Sequence, residues 1–188
     1  MVKYRGENST ERIRVKAMLR KMKDNEFRAV YDILHNSFDK DEIRSYDGQK
    51  KLFEDTDYSI YVGQTEINGL LAVWNFGKAR YIEHFAVDEK YRNNKLGSVM
   101  LEEYLNMSKS PVILEVELPG SEFTDRRIGF YKRHGFKFND YDYVQPPMEE
   151  GKSPVPLRIM SWPNNISAEE YERYRKILYK KVYKSDWE

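Results

Sequence analysis

Three apolar runs rich in strand-forming residues follow one another between residues 58 and 88, in "YSIYVGQTEINGLLAVWNFG" and then "RYIEHFAVD". The first two are parted by a stretch containing Asn68-Gly69, a pair that tolerates positive φ and signals a hairpin. The third begins at once. A chain that lays down a hairpin and a further strand in so short a span is committed to a sheet, and its remaining segments must cover that sheet. The period then changes: "GSVMLEEYLNM" sets Val99, Met100, Tyr104 and Leu105 at helical spacing. "PVILEVEL" (111–118) is again a short β-branched strand. "TDRRIGFYKRHGF" predicts a helix capped at Thr124 or Asp125 and closed at Gly135. The order is hairpin, strand, helix, strand, helix.

The flanks supply the cover. In "DNEFRAVYDILHNSF", Phe27, Val30, Tyr31, Leu34 and Phe38 recur at three- and four-residue steps behind a cap at Asp24, which predicts an amphipathic helix. "ERIRVKAML" (11–19) alternates at Ile13, Val15 and Ala17 as a strand would, and "YDGQKKLFED" (46–55) reads as a short second helix. "FKFNDYDYV" and "VPLRIMSW" read as strands either side of the loop "QPPMEEGKSP". The tail "SAEEYERYRKILYKKVY" opens with the capping box Ser167-x-x-Glu170 and sets Tyr171, Tyr174, Ile177, Leu178 and Val182 on one face.

Composition excludes several classes. The 188 residues are enough for one core, and 32 Lys and Arg against 31 Asp and Glu leave a net charge of +1. That gives no field to gather nucleic acid or an anionic membrane, so direct binding to either is not expected. With no cysteine there is no disulfide, no cysteine-ligated zinc and no Cys nucleophile. No apolar run approaches a membrane span and "MVKYRGENSTERIRVK" lacks the apolar centre of a signal peptide, so a cytoplasmic location is expected.

"YRNNKLGSVM" (91–100) places a basic polar loop between a strand and a helix start. Backbone N–H groups without helical partners point outward there, and the helix dipole adds to their pull on an anion. The spacings of a P-loop and of a dinucleotide-binding G-x-G-x-x-G are both missing. The wider stretch "FAVDEKYRNNKLGSVMLEEYL" resembles the acetyl-CoA signature of the GNAT superfamily of N-acetyltransferases. In that family a strand ends in an apolar-Ala-Val step, and a pyrophosphate loop of Arg or Gln, two residues, Gly, one residue, and Gly or Ala comes next. The loop maps here onto Arg92, Asn93, Asn94, Lys95, Leu96 and Gly97. Lys95 departs from the pattern by standing where the first glycine would. A lysine there either contacts a phosphate itself or occupies a conformation that glycine adopts more cheaply. "IGFYKRHGFKF" carries the second part of the resemblance, an aromatic-Tyr pair on a helix and then the Gly-Phe that ends it.

The resemblance spans about residues 11–162, which it implies form a GNAT domain, with 1–10 as an N-terminal extension and 163–188 as an appended C-terminal helix. It implies an α+β fold, a twisted mixed but mostly antiparallel sheet of about seven strands flanked by helices. The implied function is transfer of an acetyl group from acetyl-CoA to a primary amine in a ternary complex, with no metal and with a homodimer among the assemblies it allows. The cofactor-binding positions would be Phe85, Ala86, Val87, Arg92, Asn93, Asn94, Lys95, Leu96, Gly97 and Ser98. Glu83 falls where family members carry a base, and Tyr131 where they carry the acid that protonates the departing sulfur. By strict alternation Tyr81, Glu83, Phe85 and Val87 share one face and Ile82, His84 and Ala86 the other, so His84 is a second candidate base or, facing away, a packed and hydrogen-bonded core histidine. Glu115 and Glu117 alternate onto one face of the next strand and are candidates for attracting a cationic acceptor. Arg126 and Arg127 are further candidates, for the nucleotide phosphate, or a solvated helix face. A non-catalytic acyl-CoA-binding module on the same scaffold is the alternative, since fold does not fix function. A Glu83 locked in a salt bridge would favour it.

Overall fold

A computed structural model describes residues 19–187. Residues 11–18 of the strand expected at 11–19 lie outside that range; within it β1 is Leu19–Lys21. The chain continues through α1 (Phe27–Ser37), α2 (Tyr46–Lys51), β2 (Tyr58–Gly63), β3 (Gly69–Asn75), β4 (Arg80–Val87) and α3 (Leu96–Asn106). It then runs through β5 (Val112–Glu117), α4 (Glu122–Arg133), β6 (Lys137–Gln145), β7 (Val155–Trp162) and α5 (Ala168–Ile177). The seven strands form one sheet in the order β1-β2-β3-β4-β5-β7-β6, antiparallel throughout except for β4 beside β5. No helix among the described residues is long and apolar enough to cross a membrane.

The sheet is covered on both faces, which is why β3 reads as an unbroken apolar run rather than an alternating one. Leu70, Ala72 and Trp74 pack with Val30 and Leu34 of α1 and with Tyr171 and Tyr174 of α5. Leu71 and Val73 face the other layer, with Met100 and Leu101 of α3 and Ile128 and Tyr131 of α4. The tail thus shares the core with α1.

Local signals held in kind but shifted in place. α1 begins one turn later than the Asp24 cap suggests, because Asp24–Glu26 form a 3₁₀ turn closed by the Glu26 carboxylate on the Lys23 amide. α4 is capped by Ser121, not Thr124 or Asp125; Ser121 Oγ accepts from the Thr124 amide at 3.1 Å. Asn68-Gly69 is not the turn itself. Neither residue has positive φ, and the connection is the five-residue stretch 64–68. Gly69 matters for a different reason, since a Cβ there would lie 2.8 Å from the Ala86 carbonyl of the neighbouring strand. The Ser167 capping box forms as expected, with the Glu170 amide donating to Ser167 Oγ at 3.2 Å. Beyond α5 the helix widens into a π-helical turn over Leu178–Val182, which brings Tyr179, Val182 and Tyr183 into the core.

Candidate active site

β4 and β5 are neighbours only at their start. Arg80, Tyr81 and Ile82 pair with Val112, Ile113 and Leu114, and the pairing stops there although β4 runs on to Val87 and β5 to Glu117. The two strands therefore part, leaving a cleft with unpaired backbone on the β5 side of β4. The first residue past the last pair is a glutamate on each strand, Glu83 and Glu115.

β4 also carries a bulge. Val73 of β3 pairs with Ile82 and Ala72 with His84, so Glu83 is the extra residue. This overturns the strict alternation expected for the strand. Phe85 and Val87 turn toward the α3 layer, whereas Tyr81, Glu83, His84 and Ala86 all turn toward α1. His84 is therefore on the same face as Glu83, not opposite it. Its ring packs against Phe38, and Nε2 lies 2.8 Å from the Glu42 carbonyl, which can only accept, so Nε2 carries the proton and the buried Nδ1 has no partner among the described residues. Burial pushes the imidazole below its ordinary value despite the Glu83 charge beside it.

Glu83 is fully engaged. Arg44 Nη1 donates to Oε1 at 2.5 Å and Trp74 Nε1 to Oε2 at 3.1 Å, with the carboxylate 0% and the guanidinium 5% exposed. Burial alone would raise this carboxyl; the Arg44 charge and the hydrogen bonds from Arg44 and Trp74 outweigh it and hold the group below the ordinary range. Protonating Glu83 would strand the Arg44 charge in the interior. That geometry does not suit the base role expected for it.

Glu115 is held differently. It accepts from the Tyr143 hydroxyl and, at 2.7 Å, from the Tyr183 hydroxyl, while Tyr183 lies 3.0 Å from the Tyr81 hydroxyl. Burial drives its pKa up to about 7, against the pull of the tyrosine hydroxyls and with the Glu83 charge adding to the rise. Glu117 is ion-paired with the part-exposed Arg127 at 2.5 Å, and Arg126 beside it is exposed. Tyr131, on α4, is buried against Phe130 and Phe136, and its hydroxyl has no hydrogen-bond partner among the described residues. Burial pushes it up to about 12, with Arg127 opposing and Glu117 assisting.

At the other end of the cleft, Arg92 donates through Nε to the Val87 carbonyl at 3.0 Å and the loop turns into α3. Asn93 and Lys95 both sit in the left-handed region, at φ 66° and 60°. Lys95 thus adopts the conformation that the glycine usual at its position would take with less strain. The first turn of α3 lies along β4, where a Cβ on Gly97 would make ordinary contact with Val87 at 3.4 Å and Phe85 at 3.6 Å.

Residues 56–138 match the family model described as the acetyltransferase (GNAT) domain. A structure from Bacteroides thetaiotaomicron assigned to the GNAT family is 30% identical, superposes with a TM-score of 0.82, and is matched over 88% of this chain and 98% of its own. The chain belongs to the GNAT family. The GNAT fold is shared at lower identity by Ard1 from Thermoplasma volcanium, at 21%, TM-score 0.58, and coverage of 78% and 97%. It is shared too by the ribosomal-protein-S18-alanine N-acetyltransferase of Escherichia coli, at 16%, TM-score 0.57, and coverage of 81% and 96%. No curated protein is similar enough in sequence to match it.

Two residues of this candidate site carried no signal in the sequence: Arg44 stands in a loop after α1, and Tyr183 follows the π-helical turn of the tail. Tyr143, which the sequence offers as an acceptor-pocket aromatic or as ordinary core, joins them. They meet because β6 and the tail both close on the α1 face of the cleft. A cavity of about 30 Å³ lies among Glu83, His84, Glu115 and Gln145. It shares Glu42 and Glu117 with a wider groove of about 750 Å³, where Asp39 and Asp41 add negative charge beside Lys40. No group of three or more His, Asp or Glu among the described residues could hold a metal ion.

Proposed function

We propose that this GNAT protein transfers an acetyl group from acetyl-CoA to a primary amine by direct attack in a ternary complex. The observation that carries the reading is the parting of β4 from β5 beyond Ile82 and Leu114, with a helix start on one side and a carboxylate-lined cleft on the other. The free N–H groups of Leu96, Gly97 and Ser98, with the loop from Arg92 to Lys95, suit the pyrophosphate of CoA. The unpaired edge of β4 at Phe85, Ala86 and Val87 suits the amide groups of its pantetheine arm and offers an N–H to polarise the acetyl carbonyl.

Tyr131 stays protonated throughout the working range. It is a weaker acid than a thiol, so what it supplies to the departing sulfur is a hydrogen bond. Asp39, Asp41 and Glu42 favour an acceptor that arrives as a cation, its ammonium drawn toward the cleft by simple attraction, while Glu117 lines the groove with its charge met by Arg127. A cytoplasmic location belongs to the same proposal, which leaves room for a homodimer.

The Glu83–Arg44 ion pair favours a second reading, a non-catalytic acyl-CoA-binding module. Isothermal titration with acetyl-CoA, alongside an Arg92→Ala/Gly97→Trp variant, tests the shared part. Micromolar binding that the variant loses is expected for both readings, and no binding by the wild type removes both. CoA-thiol release in the presence of spermidine, a lysine-containing peptide and a peptide with a free amino terminus then separates enzyme from module.

A further inference from the structure

The two glutamates at the fork differ in what protonation would do to their surroundings. Glu83 is bound to a buried cation whose other end is fixed, since Arg44 Nη2 donates to the Val182 carbonyl at 2.8 Å. Among the described residues Glu115 is ion-paired with no cation. Its direct partners are the hydroxyls of Tyr143 and Tyr183, which rotate and so serve a neutral carboxyl as well as a carboxylate. Adding a proton to Glu115 leaves no charge unpaired, and removing it leaves two donors aimed at the carboxylate.

We infer that Glu115 takes the proton from the attacking amine, and that the C-terminal segment is the positioning element, through Tyr183 on Glu115 and the Val182 carbonyl on Arg44. The inference rests on the acetyl-transfer reading above. The cavity between Glu83, His84 and Glu115 has room for about one or two waters, so the proton reaches Glu115 directly or along one of them. As the ammonium gives its first proton to Glu115, the nitrogen lone pair forms the C–N bond and the C–S pair leaves on sulfur. A second proton leaves the nitrogen. One of the two ends on the CoA thiol and the other in solvent, by way of the groove.

The groups facing Glu115 are Tyr81, Glu83 and His84 from β4, Tyr143 from β6, Tyr179 and Tyr183 from the tail, and, around the shared cavity, Glu42, Glu117 and Arg127. Burial among them, with the Glu83 charge, places its titration near neutrality, where a general base is most effective. The Glu83–Arg44 pair contributes by staying charged.

The test is titration of protein labelled with ¹³C at the glutamate carboxyl carbons, for the wild type, Glu115→Gln and Tyr183→Phe, which needs no acceptor. A resonance with its midpoint near 7 is expected in the wild type, absent from Glu115→Gln. In Tyr183→Phe the midpoint moves upward, because a donor to the ionised form is gone. For any amine turned over, Glu115→Gln lowers kcat about 10²–10⁴-fold with acetyl-CoA affinity unchanged, and Tyr183→Phe moves the acid limb of kcat/KM with the resonance. A Glu115 that titrates in the ordinary carboxylate range overturns the inference, as does a Glu115→Gln enzyme with turnover near that of the wild type. Failure of the wild type to bind acetyl-CoA is a separate result and removes the underlying reading.

Discussion

Replacing Glu115 by Gln should make the protein increasingly stable relative to the wild type as pH rises from about 4.5 to about 7, with the gain held above that. Burial carries this carboxyl from an ordinary 4.5 to about 7 in the folded chain. A carboxyl raised on folding contributes stability that is complete below about pH 4.5 and is lost as pH climbs through 7. Each tenfold in proton affinity is worth about 1.4 kcal/mol, so the ionised group costs the fold about 3 kcal/mol by pH 8.5. A glutamine of the same shape keeps an acceptor and a donor for the tyrosine hydroxyls and cannot ionise. The stability of Glu115→Gln relative to the wild type should therefore rise by about 3 kcal/mol between pH 4.5 and pH 8.5, equivalent to about 6–12 °C in Tm for a chain of this size. Urea unfolding at half-unit pH intervals measures this, and taking the difference between the two proteins cancels the other titrating groups. A difference that stays flat across the range, or that falls as pH rises, would refute the reasoning and with it the environment assigned to Glu115.

Arg44→Met should cost about 3–5 kcal/mol by leaving the Glu83 carboxylate buried without its cation. The double variant Arg44→Met/Glu83→Gln should recover most of that in urea, and a double as unstable as the single would show that the pair is not the cause. Gly69→Ala should destabilise by about 1–3 kcal/mol because the new methyl meets the Ala86 carbonyl, a backbone atom that cannot swing aside; a neutral result by thermal unfolding would mean that β3 and β4 separate freely. Lys95→Gly should gain about 0.5–1 kcal/mol, the strain of a left-handed lysine less the entropy cost of glycine. A loss of stability in that variant would show that the Lys95 side chain holds the loop.

The elements of the sheet were legible because each rests on a local cause. β2, β3 and β4 announce themselves through apolar runs, and α3 through its spacing after a polar loop; of the two readings open for Lys95, a phosphate contact or a conformation cheaper for glycine, the left-handed backbone bears on the second. The illegible features depend on comparison between strands. A bulge leaves no mark in the single strand that bears it, since Glu83 is extra only relative to the pairing of Ala72 and Val73. Once strict alternation failed at that residue, His84 changed face and Phe85 and Val87 parted company with Glu83. Arg44 and Tyr183 were illegible for a related reason, because each gains its meaning from a partner far along the chain, 39 residues for Arg44 with Glu83 and 68 for Tyr183 with Glu115.

The tail illustrates how composition and position mislead separately. Its tyrosines recur at helical spacing, which predicts a face packed on the domain and says nothing of a site. The π-helical turn changes that: by admitting an extra residue over Leu178–Val182 it presents both the Val182 carbonyl and the Tyr183 hydroxyl to the cleft, on successive residues. One touches the cation of Glu83 and the other touches Glu115. A regular α-helix continued through this segment would advance each residue by a fixed angle and would not keep both contacts, so the irregularity is where the tail acquires its hold on the two carboxylates. Helix widening of this kind costs hydrogen-bond geometry, and it is tolerated here in a segment whose outward positions, Lys180 and Lys181, are exposed while Leu178, Tyr179, Val182 and Tyr183 are buried.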